Sequence, residues 1–188
     1  MRAWTLEEAG EGLHLAEVPE PAPRGGGVVV GVLASYLPAY TDALIHGTRG
    51  TVPTPLVLGP GAIGRVESVA DDVFNVAPGD IVVTNSLLSS GETDGPQEIL
   101  VGWTGVGGRG KATATTTAMQ AVWRDGLWAE RALCPKETVV RLAGAGEYAR
   151  PDRLAFLPWL AIAAEGLNSA GQRPGQSVAV VGGTGQLG

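Results

Sequence analysis

The chain has 188 residues, of which 44% are hydrophobic, enough to bury one substantial core and to begin a second. Its formal charge of −6, with no dense Lys/Arg cluster, argues against nucleic-acid and anionic-membrane partners, whose electrostatic footprint is basic, and leaves a small molecule as the expected partner. No stretch reaches the roughly 18–20 apolar residues of a membrane span, and Met1-Arg-Ala-Trp-Thr-Leu-Glu-Glu8 lacks a signal peptide's apolar core, so a cytoplasmic location is expected.

Up to Gly144, short apolar runs are punctuated by glycine and proline, the pattern of an all-β module. Leu13–Val18 alternates, Val28–Leu33 is more uniformly apolar, Ile63–Val69 alternates again, and Ile81–Val83 follows the turn Ala77-Pro-Gly-Asp80. These read as strands of a compact barrel. Pro38–His46 is a short helical candidate that carries Tyr40, Thr41 and Asp42, with Gly47 as its stop. His14 and His46 have no partner cysteine or second histidine nearby and read as surface or capping residues.

From Asn85 to Gln120 the apolar periodicity fades into Gly, Thr and Ser, and this stretch is expected to be a mobile or partly ordered excursion. Strand character returns at Leu127–Leu133 and Thr138–Leu142. Cys134 is the only cysteine, which excludes an intrachain disulfide and a cysteine-rich zinc lobe; it reads as a small packed strand residue. Trp103, Trp123 and Trp128 suit either an apolar pocket wall or ordinary core packing. Pro151 and Asp152 then open a helix that runs through Leu154–Leu167, is kinked by Pro158 and ends at Gly171.

The final segment is the most specific. Val178-Ala-Val-Val-Gly-Gly-Thr-Gly-Gln-Leu-Gly188 reads as a buried strand entering Gly183-x-Gly185-x-x-Gly188. This sequence suits a tight turn, close backbone approach to pyrophosphate and a helix N-terminus offering N–H donors. Gly183, Thr184, Gly185, Gln186, Leu187 and Gly188 are therefore the candidate cofactor-binding residues. The acidic ribose-binding residue, about 20 positions further on, would lie past Gly188. The chain reads as the front portion of an enzyme, of marginal stability and without nucleotide affinity of its own.

Taken together, these elements resemble the front part of the medium-chain dehydrogenase/reductase superfamily, in its zinc-free alcohol dehydrogenase-like and quinone oxidoreductase-like branches. Met1-Arg-Ala-Trp with Leu15-Ala-Glu-Val-Pro-Glu-Pro21 is similar to the family's first hairpin, and Thr41-Asp42 to its Cys-x-Thr-Asp helix. Leu58-Gly-Pro-Gly-Ala-Ile-Gly-Arg-Val-Glu67 resembles its Leu-Gly-His-Glu segment and Val76-Ala-Pro-Gly-Asp-Ile-Val82 its Lys-x-Gly-Asp-Arg-Val. Gly126-Leu-Trp-Ala-Glu130 resembles Gly-x-Phe-Ala-Glu-Tyr, and Arg173-Pro-Gly-Gln-Ser-Val-Ala-Val-Val181 the strand that enters the nucleotide fold.

The resemblance implies a mostly β GroES-like barrel with short helices as substrate domain (1–150), followed by the first helix, strand and turn of an incomplete α/β Rossmann domain (151–188). It also implies an NAD(P)H cofactor, hydride transfer with an alcohol or ketone, enone or quinone, and a homodimeric or homotetrameric parent. Where the zinc-dependent branch places Cys, His and Glu, this chain has Ala39, Pro60 and Gly61, which offer Zn²⁺ no side-chain lone pair, so no zinc is expected. Without a metal, oxyanion charge must be met by hydrogen-bond donors. The candidate catalytic residues are Tyr40 and Thr41, the latter at the family's proton-relay position. The other reading makes Thr41 and Asp42 helix-local hydrogen-bonders and Tyr40 a core aromatic. At the level of the chain the alternative is a catalytically inactive GroES-like remnant or protein-binding scaffold.

Overall fold

The computed structural model describes residues 1–50, 52–104, 112–145, 150–185 and 187. Strands β1 (Arg2–Leu6) and β2 (His14–Glu17) form the opening hairpin, with Arg2 opposite Glu17, and β4 (Leu56–Val57) adds to the other edge of β1. The main sheet joins β3 (Gly27–Ser35), β5 (Gly61–Val69), β6 (Ile81–Asn85), β9 (Arg131–Pro135) and β10 (Val139–Arg141) in the antiparallel order β10-β6-β5-β3-β9. The bridge Ala3–Ala129 and the bonds Trp4 N–H to Trp128 C=O (2.8 Å) and Trp128 N–H to Leu58 C=O (2.8 Å) stitch the hairpin sheet to the segment leading into β9.

The apolar pattern explains the packing. One face of the main sheet contributes Val28, Val30, Ala62, Val66, Val82, Ala132 and Cys134 to the principal core. Ile63 and Ile81 point the other way, into a cluster with Ala145 and Ala155 that Leu154 and Leu157 also cover. Because both faces of its first half are covered, β5 is buried from Gly61 to Gly64, and alternation appears only beyond, at exposed Arg65 and Glu67. Leu6, Leu44, Leu56, Leu58 and Trp103 make a further cluster under the opening hairpin. Cys134 is buried as expected, and its apolar surroundings push the thiol up to about 12.

The short helix α1 (Thr41–Ile45) lies within the expected Pro38–His46, and Gly47 takes φ +68°, the left-handed conformation that ends a helix. Three expectations need correction. First, Asn85–Gln120 contains regular structure: strands β7 (Leu87–Ser89) and β8 (Glu98–Leu100) pair antiparallel, and most of helix α2 (Ala114–Val122) falls in it. A run of β-branched threonines has low helix propensity, but Thr113 and Thr116 form a reciprocal capping box. Leu88, Ile99 and Val101 supply a small core that Met119 and Trp123 join.

Second, the expected single helix is two, α3 (Pro151–Leu154) and α4 (Leu157–Ser169). Pro158 has no N–H, and its ring collides with the carbonyl four residues back, so the first helix ends at Leu154 and Pro158 lies in the first turn of the second. Third, Val178–Val181 forms no ladder, and its valines are half to fully exposed. A strand needs a neighbour to take its N–H and C=O groups, and no described strand lies beside it. Likewise, strand β9 begins at Arg131, so Leu127 and Trp128 precede it.

Candidate active site

The chain brings its candidate chemistry together where β3 ends. Ser35 closes that strand, Tyr36 follows, and a turn containing fully buried Pro38 leads into α1. Thr41 is buried, and its hydroxyl donates to the Pro38 carbonyl at 2.7 Å, a helix-local bond. Tyr40 is the N-cap residue of α1. Its ring stands edge-on to Trp103 (6.0 Å between centroids) beneath the Arg49 guanidinium (4.0 Å). Trp103 is in turn edge-on to Trp128 at 5.9 Å. Trp128 donates its indole N–H to Ser35 Oγ at 3.1 Å, and Ser35 donates to the Gly61 carbonyl at 2.6 Å.

Gly59, Pro60 and Gly61 run through this wall buried. Gly59 has φ +131°, and a Cβ there would lie 2.6 Å from Leu127 N. A Cβ on Gly61 would lie 2.8 Å from the Thr84 carbonyl and 3.0 Å from Tyr36 Cε1. Backbone and the Tyr36 ring therefore fill the space that a longer side chain at 61 needs. A cavity of about 640 Å³ opens beside Ser35, Tyr36, Leu37 and Trp128. Burial, reinforced by Tyr40, pushes the Tyr36 hydroxyl up to about 12. Trp159 of α4, which does not line this cavity, stands edge-on to Tyr36 at 5.5 Å.

Both readings of the expected catalytic pair can be weighed against this geometry. Tyr40 and Thr41 stand together, Thr41 with its proton engaged locally and Tyr40 as an aromatic packed between Arg49 and Trp103. Ser35 and Tyr36 are additional cavity residues, and Trp159 packs edge-on against Tyr36. No spacing rule points to them, since a lone Tyr at a strand end and a lone Trp in a helix both read as core.

Of the cofactor-binding candidates, Gly183, Thr184 and Gly185 are exposed, Leu187 is half-exposed, and Gln186 and Gly188 lie outside the described residues. The turn they form is local, with Gly185 N–H donating to the Gly182 carbonyl at 2.9 Å. Among the described residues no strand pairs with the segment that precedes this turn. His46 Nδ1 sits 2.9 Å from the Asp42 carbonyl and His14 is exposed on β2. Among the described residues no group of three or more His, Cys, Asp or Glu is placed to hold a metal. Ala39, Pro60 and Gly61 lack the donors a catalytic zinc needs, so these positions do not fit that ion. Among the described residues no helix is long and apolar enough to cross a membrane.

Comparison with known proteins agrees with this architecture. Residues 25–144 match the alcohol dehydrogenase GroES-like domain, and the chain belongs to that family, within the medium-chain dehydrogenase/reductases. The L-threonine 3-dehydrogenase of Streptomyces avermitilis is 33% identical over 143 residues, 74% of this chain and 39% of that enzyme. A thermostable alcohol dehydrogenase from Pyrobaculum aerophilum, solved with cobalt and zinc bound, superposes on the whole chain with a TM-score of 0.74 at 24% identity. The quinone oxidoreductase of Thermus thermophilus, solved alone and with NADPH, does so with a TM-score of 0.64 at 25% identity. The chain spans 53% and 47% of these two solved proteins.

Proposed function

We propose that the chain belongs to a zinc-independent NAD(P)-dependent oxidoreductase that moves hydride between nicotinamide and an alcohol or ketone, enone or quinone. In this reading residues 1–150 form the substrate domain and 151–188 the entry to the nucleotide domain. The observation that carries it is that Ala39, Pro60 and Gly61 offer no metal-binding side chain, the last being closed in by Tyr36. NAD(P), when bound by the whole protein, supplies the hydride. The residues of this chain bind and orient the substrate oxygen. Tyr40 and its tryptophan neighbours form an apolar wall that excludes water, while Thr41 holds the turn that presents Tyr40. The relatives support the reading by their names, and the NADPH complex of the Thermus protein supports the cofactor. A cytoplasmic, dimeric or tetrameric protein fits the same picture.

The test is oxidation of NADH or NADPH by the native polypeptide with cyclohexanone, cyclohexenone and benzoquinone, in chelator and in added Zn²⁺. Turnover that the chelator leaves unchanged is expected. Activity that disappears in chelator and returns with Zn²⁺ overturns the zinc-free assignment. No oxidation with any acceptor favours a non-catalytic scaffold.

A further inference from the structure

We infer that a second cavity, of about 660 Å³, binds a small organic monocarboxylate through Arg24. Its walls come from chain segments far apart in sequence: Pro19 and Pro21 after β2, Leu56 and Val57 of β4, Trp123 after α2, and Leu133 of β9. Among its lining residues it shares only Ala129 with the cavity beside Ser35. The Arg24 guanidinium lies 4.4 Å from the centroid of the Trp123 ring and donates to the Val122 carbonyl at the end of α2. Both partners line the cavity, so these two contacts fix the cation at its wall. The ring takes one face of the guanidinium and the carbonyl one N–H, which leaves the other donors of a planar fork suited to bidentate contact with a carboxylate.

Arg24 is the uncommitted cation of this cavity. Among the described residues it forms no ion pair, whereas the other charged groups there, Glu7 apart, are paired. Arg124 stands 3.4 Å from Asp125, whose Oδ1 also accepts the Val57 N–H at 3.0 Å. Arg131 is held by Glu67 at 2.8 Å and by Glu20 at 3.4 Å, and the Met1 amine by Glu20 at 3.5 Å. Glu7, the remaining carboxylate, lies elsewhere in the cavity. Thr5 faces Val57 and Leu6 faces Leu56 in the β1–β4 register, which carries Glu7 away from Val57, the residue that Asp125 and Gly126 bond. The Arg24 end is therefore left with one net positive charge. That charge matches a monoanion rather than a dianionic phosphate ester, and unpaired Glu7 adds to the penalty for a second negative charge. Pro19, Pro21, Leu56, Val57 and Trp123 offer an apolar wall for the rest of the molecule, and the volume is that of an ordinary small-ligand site.

The experiment is a proton–nitrogen correlation spectrum of the full chain, covering the arginine Nε–H and indole regions, titrated separately with benzoate, benzamide and inorganic phosphate. The Arg24 peak is assigned by its loss in Arg24→Gln, a variant whose side-chain amide can still donate to the Val122 carbonyl, and the Trp123 peak by nuclear Overhauser contacts to Arg24. Saturable shifts of both peaks with benzoate, but not with benzamide or phosphate at equal concentration, are expected. In Arg24→Gln the affinity read from the Trp123 peak falls about tenfold, the loss of one charge-assisted contact. Should that variant not fold, Arg24→Lys, which keeps the charge without the fork, takes its place, with a severalfold loss expected. Peaks that stay still with benzoate overturn the proposal, and so does an unchanged affinity in the variant. Equal shifts with benzamide show that Arg24 reads no charge, and equal shifts with phosphate show that the apolar wall contributes nothing; either result also overturns it.

Discussion

The Trp128 indole N–H is held at 3.1 Å by Ser35 Oγ, 93 residues away in sequence, and the same hydroxyl donates onward to the Gly61 carbonyl at 2.6 Å. One small side chain therefore fixes the tryptophan that closes the wall and the glycine segment that passes behind it. Ser35→Ala removes both bonds and leaves an indole donor and a carbonyl acceptor in a part-buried setting. The expected cost is about 1–3 kcal/mol, read as a lowered urea midpoint with an unchanged slope. A variant within about 0.5 kcal/mol of the parent, the scatter of ordinary surface changes, shows that water replaces Ser35 at no cost.

Behind that wall, Gly59, Gly102 and Gly126 cross with their backbones nearly in contact. Gly59 N–H donates to the Gly102 carbonyl at 3.0 Å, Gly102 has φ +65°, and a Cβ on Gly126 would lie 2.8 Å from Gly102 Cα and 2.9 Å from Gly59 N. No rotamer change relieves a Cβ–backbone collision, so Gly126→Ala is expected to cost more than about 3 kcal/mol or to abolish folding. Gly166→Ala is the matched control. It sits inside α4, where a Cβ meets nothing within 4 Å. It is expected to gain about 0.5–1 kcal/mol from helix propensity. Equal effects at the two positions in a denaturation series contradict the crossing argument.

The strands of the main sheet were legible because both of their periods are plain: alternation where one face is exposed, as at Arg65–Glu67, and continuous apolar runs where both are covered, as at Val28–Val30. The α1 turn was legible from Pro38 and Gly47. Helix α2 was not, because its stability comes from a Thr113–Thr116 capping box and a few long-range contacts rather than from its threonine-rich sequence. Of the site, the placing of Tyr40 and Thr41 at the start of a short helix could be read directly. Tyr36 could not, and neither could its contact with Trp159, which forms only once α4 is in place and has no local signature.

Buried Cys134 and half-buried Tyr36 make stability depend on alkaline pH. Burial raises Cys134 from 9.0 to about 12, and burial chiefly raises Tyr36 from 10.0 to about 12. Each folded-state value lies above the unfolded one, so the native state keeps a proton that the unfolded chain has lost. Their contribution is fully present below pH 9 and falls as pH rises, from Cys134 between about 9 and 12 and from Tyr36 between about 10 and 12. The melting temperature is expected to drop through this window. Cys134→Ala removes the earlier part of the drop and Tyr36→Phe the later part, and the native thiol does not react with a thiol reagent at neutral pH until the chain is unfolded. Rapid labelling of the native protein rules out the buried thiol.

Thr113 tests whether α2 is an independent element or a passive cover. Its side chain accepts from Thr116 N–H at 3.1 Å, its own N–H donates to Thr116 Oγ1 at 2.8 Å, and its hydroxyl also bonds Gln97 beside the β7–β8 hairpin. Thr113→Ala removes the cap and the tie to the hairpin together, an expected loss of about 1 kcal/mol. Helix α2 packs mainly on the small Leu88–Ile99–Val101 core, away from the main sheet. The loss should therefore appear as faster amide exchange in Thr117–Val122 and around Ile99, with β3 and β5 unaffected. Equal acceleration throughout the main sheet shows instead that α2 unfolds only with the whole chain.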